Sequence, residues 1–327
     1  MKHMIRSNMV RHLAVLAAVA ALATAARAAE TVVNLRAATT TVTMPDGAVV
    51  TMWGYALGAG AVTVPGPPIT VPPGNTLRIN LTNNLGEGVS VMIPGEPMPL
   101  DGTSTSPQVV RNPDGRIRSF THETAPGQTG AYVWPSLKTG SYIYQSATHP
   151  AVQVQMGLYG ALTHDQAAGT AYSGVAYDNA VTLLYSEIDP VLHAAVRDGV
   201  YGTAAYPSTL NYKPEYFLIN GAPYADPPPA FPTAATGQRV LLRLMNAGLQ
   251  THAPTLLGLY ASLVAEDGNL YPHPLDQYCI MLPAGKTIDA VVVPTQAKKY
   301  PVYDHSLSLT NALAGAGGML SYLNVTH

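Results

Sequence analysis

Along most of this chain apolar and polar positions alternate in short runs. In residues 76–83, Leu77, Ile79 and Leu81 are separated by Arg78, Asn80 and Thr82. That two-residue period belongs to a strand with one buried face. Residues 239–246 alternate in the same way. Further strand-like runs lie at 31–35, 39–44, 48–55, 69–71, 89–93, 129–134, 140–144, 153–155, 158–163, 180–185, 216–220, 256–266, 278–282, 288–293, 303–310 and 319–325. Turn signals separate them, among them Pro45-Asp46-Gly47, Glu266-Asp267-Gly268 and the proline run 227–229. In the Glu266 turn, Asp267 is expected to bond backbone amides and Gly268 to take positive φ. One helix is predicted, over 191–196, where Asp189 can cap it and Pro190 suits its first turn.

The two halves echo each other. Each has a strand running into an Asn-containing turn, at 77–84 and at 240–246, and each has a Gly-Gln-Thr or Gly-Lys-Thr turn, at 127–129 and 285–287. The pattern predicts an all-β chain of two tandem Greek-key β-sandwiches or barrels, with one short helix near 190–196. The domains read as 29–165 and 180–327, joined by a linker of small residues at 166–179. A chain of 327 residues is long enough for both.

Composition adds a compartment and removes some functions. Lys2, Arg6 and Arg11 precede an apolar run at 13–25, and Ala26-Arg27-Ala28 fits a cleavage site. Residues 1–28 therefore read as a signal peptide, and the mature chain as periplasmic or secreted with no membrane span. With 17 Lys plus Arg against 19 Asp plus Glu and no basic patch, nucleic acid is not an expected partner. The low charged fraction of 11% suits an exported β protein, and would equally suit burial against a protein partner or in a homo-oligomer. A single cysteine, Cys279, excludes an internal disulfide, and its strand-like neighbours predict a buried structural thiol.

Several segments carry a resemblance. GPPITVPPGNTLRINLTNNL, APGQTGAYVWPSLKTGSYIYQSATHPAVQVQMGLYGAL, YFLINGAPY and GQRVLLRLMNAGLQTHAPTL are similar to multicopper oxidases. Within that superfamily they most resemble the bacterial branch associated with manganese oxidation. The resemblance implies cupredoxin domains and, in active members, copper held by His-x-His pairs and by a site of two His, one Cys and a weak Met. The residues depart from that pattern. Met92 and Pro94 stand where one histidine pair is expected. Gln145, Ser146 and Ala147 occupy the second ligand stretch, and His149 is the histidine that remains there. Cys279 is followed by no His-x-Met pattern.

The candidate metal ligands are therefore His149, His252 and Met92, with copper as the candidate cofactor and no catalytic residue assigned. His122, His164, His193, His273, His305 and His327 complete the histidines of the mature chain, and none forms a close-spaced pair. A lone histidine is ordinarily a hydrogen-bonded structural residue. Three functions stay open. The chain is a binding, assembly or structural component with degenerate copper sites, a copper-dependent oxidoreductase completed by non-standard ligands or another subunit, or a weak copper carrier.

Overall fold

The computed structural model describes residues 28–224, 231, 234–312, 314 and 317–327. The expected signal peptide, apart from Ala28, and the proline run 227–229 lie outside the described residues. The first half contains β1 (Glu30–Thr43), β2 (Val49–Leu57), β3 (Gly66–Val71), β4 (Thr76–Asn83), β5 (Val110–Arg111), β6 (Ile117–Ser119), β7 (Thr129–Trp134), β8 (Gly140–Gln145), helix α1 (Pro150–Gln153) and β9 (Tyr159–His164). A small hairpin follows, β10 (Thr170–Tyr172) and β11 (Val175–Ala176). The second half contains β12 (Asn179–Ile188), helix α2 (Pro190–Arg197), β13 (Tyr216–Ile219), β14 (Ala222–Pro223), β15 (Ala234–Ala235), β16 (Val240–Asn246), β17 (Pro254–Leu256), β18 (Ala261–Glu266), β19 (Asn269–Gln277), β20 (Thr287–Val292), β21 (Lys299–Asp304) and β22 (Leu320–Thr326). The chain is all-β, with the cupredoxin-like sandwich repeated.

In the first sandwich, a sheet ordered β2-β1-β4-β7 opposes one ordered β3-β9-β8. The second pairs a sheet ordered β14-β13-β12-β16-β20-β18-β19 with one ordered β15-β22-β21-β17. The repeat is visible in the ladders. β1 runs parallel to β4, which runs antiparallel to β7; β12 runs parallel to β16, which runs antiparallel to β20. It extends to single bonds. Asn83 Nδ2 donates to Glu87 O (2.7 Å) and Thr124 O (2.9 Å), and its Oδ1 accepts Leu85 N. Asn246 Nδ2 donates to Gln250 O (2.7 Å) and Leu282 O (3.0 Å), and its Oδ1 accepts Gly248 N. Gly127 and Gly285, both at positive φ, donate to the carbonyls of Asn83 and Asn246. Each buried asparagine thus ties the end of its strand to the loop that follows, satisfying main-chain groups that would otherwise be orphaned.

The alternating residues of β4 form the first core: Leu77, Ile79 and Leu81 pack with Leu35, Tyr132, Trp134 and Tyr144. β16 is buried along its whole length, consistent with its central place in a seven-stranded sheet. Apolar seams join the halves, Ile143, Val154 and Tyr159 meeting Leu184 and Met245 in one, and Met44, Val50 and Met52 meeting Ile188 and Leu218 in another. Asp189 caps α2 as expected, accepting Val191 N and Leu192 N. In the Glu266 turn, Asp267 Oδ1 accepts Thr287 N, and Gly268 has φ 72°.

Several elements differ from the sequence reading. Residues 153–155 are not a strand; the chain turns at His149 and forms the short helix α1, with Pro150 at its first position. Segments 89–93 and 278–282 pair only through isolated bridges, such as Val89 with Thr124 and Thr255 with Cys279. Cys279 is half-buried, not buried, because it lies on this irregular end of the second sandwich. The stretch read as a linker carries the β10–β11 hairpin, which buries Ala171, Tyr172 and Val175. Among the described residues, no helix is long and apolar enough to cross a membrane.

Candidate functional site at the ligand end of the first sandwich

The expected ligand positions, held by Met92, Pro94, Gln145, Ser146 and His149, lie at one end of the first sandwich, beside a buried cluster of hydroxyls. Ser90, Ser119 and Thr148 form a buried triangle, with Oγ/Oγ1 separations of 2.9–3.2 Å. Ala147 N donates into the triangle at Ser90 Oγ. Ser146 Oγ donates to Gln153 Oε1 (2.6 Å) and accepts Thr148 N. Met92 is held by reciprocal main-chain bonds to Gln145 of 2.8 and 2.9 Å. Copper sites are built from imidazole and sulfur donors with free lone pairs. Here one thioether, Met92, and one exposed imidazole, His149, remain at the expected positions, and the neighbouring hydroxyls are bonded to one another; this set does not fit a copper centre.

Gln153 carries the network to the surface. Its fully buried Nε2 donates to Glu87 Oε1 (2.6 Å) and Gly88 O (2.9 Å). Glu87 is an exposed carboxylate in the Gly86-Glu87-Gly88 turn, yet a buried amide fixes its position. Beside it, Glu123 receives two bonds from the Arg118 guanidinium, Nε to Oε1 at 3.0 Å and Nη2 to Oε2. Gly88 makes this possible, since a Cβ there would stand 2.9 Å from Glu123 Oε2.

His149 is exposed and takes a left-handed conformation, φ 38° and ψ 59°, as the N-cap of α1 with no side-chain capping bond. The left-handed region is unfavourable for a residue with a Cβ. Two adjoining clefts share Glu87 and His149. One of 160 Å³ reaches Arg118, Glu123 and Thr148; the other, of 450 Å³, is walled by α1 and by Val196, Gly199 and Tyr201 in and after α2.

His252 lies in different surroundings. By the repeated register it stands where Val89 stands in the first sandwich, His252 bridging Leu282 as Val89 bridges Thr124. Its ring is fully buried between two carboxylates, Nδ1 3.1 Å from Asp304 Oδ2 and Nε2 3.2 Å from Glu187 Oε2. The Tyr185 ring stacks beside it at 5.9 Å. The remaining carboxylate oxygens accept main-chain amides, Ala253 and Ser306 at Asp304, Leu249 and Gln250 at Glu187. Gly248 admits the Glu187 carboxylate, which a Cβ would overlap. Desolvation opposes a charge on His252, but bonds to Asp304 and Glu187 and their charges outweigh it and push the pKa up to about 9. Burial likewise acts against Asp304 ionisation, and the His252 and amide bonds overcome it, holding the carboxyl at about 2. An imidazolium with both nitrogens donating offers no lone pair to a metal.

The structure therefore brings Met92 and His149 to the same end of the first sandwich and keeps His252 inside a closed ion triad. Among the described residues, no group of three or more His, Cys, Asp or Glu side chains is arranged to hold a metal ion. The other buried histidines are tied to the main chain, His193 Nδ1 to Thr51 O at 2.8 Å and His164 Nδ1 to Val71 O at 3.0 Å. Half-buried His122 meets Ala131 O. Sequence reading missed Glu87, Arg118, Gln153, Glu187 and Tyr201; Gln153 lies inside a stretch that carries the family resemblance, but its role shows only through its partners Ser146 and Glu87. Asp304 was visible only as the neighbour of His305, from which strand alternation turns it inward.

Residues 37–168 match the multicopper oxidase family. That match covers the first sandwich from within β1 onward, including the hydroxyl network. No curated protein matches the chain. Solved structures extend the likeness to the whole fold. The blue copper oxidase from Nitrosomonas europaea superposes with a TM-score of 0.73 at 18% identity, covering 90% of this chain and 86% of that one. The copper nitrite reductase from Nitrosomonas europaea gives 0.64 at 19%, covering 90% and 94%. The laccase from Botrytis aclada gives 0.64 at 22%, covering 91% of this chain and 53% of its own. At such identities the likeness establishes the cupredoxin-like fold alone, and the side chains must speak for the chemistry.

Proposed function

We propose that this is an exported cupredoxin-fold protein in which the copper end has become a binding site, so that the chain serves as a binding or assembly component rather than an oxidase. The observation that carries the reading is the Ser90–Ser119–Thr148 triangle with its Ser146–Gln153–Glu87 extension. Every hydroxyl in it finds its partner inside the protein, and the chain of bonds ends on a carboxylate at the mouth of a cleft. Export is supported by the charged, apolar and small-residue succession of the first 28 residues.

The test is metal content together with oxidation of a phenol. Native chain purified from copper-replete cells is expected to carry far less than one copper per molecule, to lack a blue thiolate absorption, and to leave 2,6-dimethoxyphenol unoxidised. Stoichiometric copper that disappears in His149→Ala would establish the carrier or oxidoreductase reading, with His149 as a ligand, in its place.

A further inference from the structure

The two adjoining clefts that share Glu87 and His149 have, taken together, an uneven lining. At one end lie two carboxylates, Glu87 and Glu123, against one guanidinium, Arg118, a balance of one negative charge. The Arg118 guanidinium is committed to Glu123 by two bonds, so Glu87 is the carboxylate left to meet a ligand. Away from that end, in the larger cleft, the wall is apolar, from Pro150, Ala151, Val152 and Val196, and ends at Tyr201. Tyr201 is itself backed by the Tyr206 ring, 5.8 Å away.

The volume of 450 Å³ falls within the range of small-molecule sites. An exposed carboxylate normally moves freely, yet Glu87 is tethered by an amide that is wholly buried and fully bonded, Gln153. Holding a surface carboxylate from beneath is how a protein preorganises a charged contact. The left-handed backbone at His149 places a further imidazole on the same rim.

From these features we infer that the cleft binds a small organic ammonium ion, its charged nitrogen on Glu87 and His149 and its apolar body between α1, Val196 and Tyr201. The ammonium donates to the Glu87 carboxylate and the His149 ring, while the apolar body packs against Val196 and Tyr201. A metal ion is the less suited cation, since one oxygen of Glu87 is already bonded to Gln153 and the remaining groups fall short of a three-ligand set among the described residues. The inference rests on the reading of this end as a binding site and adds the chemical class of ligand.

Calorimetric titration of the mature chain with phenethylammonium chloride tests it. Saturable one-to-one binding is expected, with no binding of 2-phenylethanol, which keeps the body and removes the charge. Glu87→Gln should weaken the affinity roughly ten- to a hundredfold, the worth of a bond to a charged group. Gln153→Leu, which frees Glu87 from its tether, should weaken it less, and Glu30→Gln, outside the cleft, should leave it unchanged. Melting curves report whether each variant folds; should Gln153→Leu fail, the exposed Glu87→Gln still decides the matter. Equal binding of the alcohol, no binding at millimolar amine, or full affinity in Glu87→Gln would each overturn the inference while leaving the metal-free reading intact. Stoichiometric binding of copper(II) or zinc(II) alone, lost in both Glu87→Gln and His149→Ala, would overturn it in favour of a metal site, and copper retained by the native protein would remove the underlying reading as well.

Discussion

His252 shows how one substitution in a repeated frame changes the electrostatics of a core. Its counterpart Val89 needs only packing, whereas an imidazole at the same register requires charge and hydrogen bonds on both nitrogens. Asp304 and Glu187 supply them, and each carboxylate is in turn held by two main-chain amides. The pH dependence follows. His252 titrates at about 9 in the folded chain against an ordinary 6.5, so its contribution is complete below 6.5 and is lost as pH rises through 9. Asp304 titrates at about 2 against an ordinary 3.8, so its contribution is present above 3.8 and is lost as pH falls through 2. Urea unfolding measured across pH should show an alkaline fall in stability between 6.5 and 9 that vanishes in His252→Gln. An unchanged alkaline limb in that variant would place the titration elsewhere. None of this was legible in the sequence, because the partners of His252 lie 52 and 65 residues away. Its place just after an Asn-containing turn pointed to a ligand, and the third dimension turned the residue into a salt-bridged core group.

At the scale of elements, legibility tracked how much chain each element uses. β4 declared itself through six alternating residues, and the two Asn turns through matching residues at matching offsets. α1 did not, since its four residues are too few to display a helical period and its buried Val152 and Gln153 mimic strand burial. Its start is fixed by His149 in the left-handed region, where relief of the backbone is worth about 1–2 kcal/mol and the extra freedom of glycine costs about 0.5–1. His149→Gly should therefore stabilise the chain by up to about 1 kcal/mol in chemical denaturation. Loss of stability instead would mean that the imidazole makes contacts worth more than the strain. A gain would show that a better turn residue exists, and that the imidazole is kept on the cleft rim at the expense of stability, the usual signature of a functional position.

At the scale of the molecule, the two sandwiches are fastened by a buried polar knot as well as by apolar seams. Arg243 on β16, 4% exposed, donates to Ser141 Oγ on β8 at 2.9 Å and to both oxygens of Asp165 just after β9, at 2.7 and 3.0 Å. Tyr177 lies over the guanidinium at 5.6 Å. Across the sheet Arg243 is in register with Asp289, a buried carboxyl whose pKa desolvation raises against the pull of Arg243 and of its hydrogen bond from Tyr172. Thr287 Oγ1 adds a bond from β20 to Ser141 O. Nearly every partner comes from a different element, so removing the cation leaves two carboxylates facing the seam without their counter-charge. Arg243→Leu should cost about 3–5 kcal/mol, the usual effect of breaking one side of a buried ion pair. Because the knot joins β8 to β16 and β20, the loss should fall on the junction before either sandwich. A single unfolding transition in the parent chain should then split into two in the variant, with limited proteolysis opening first at the β10–β11 hairpin. A double variant, Arg243→Leu with Asp165→Asn, removes one stranded charge and should recover part of the loss. If the single variant keeps one transition at unchanged denaturant midpoint, the apolar seams through Ile143, Met245, Met52 and Ile188 are sufficient to hold the sandwiches together, and the knot serves orientation rather than cohesion.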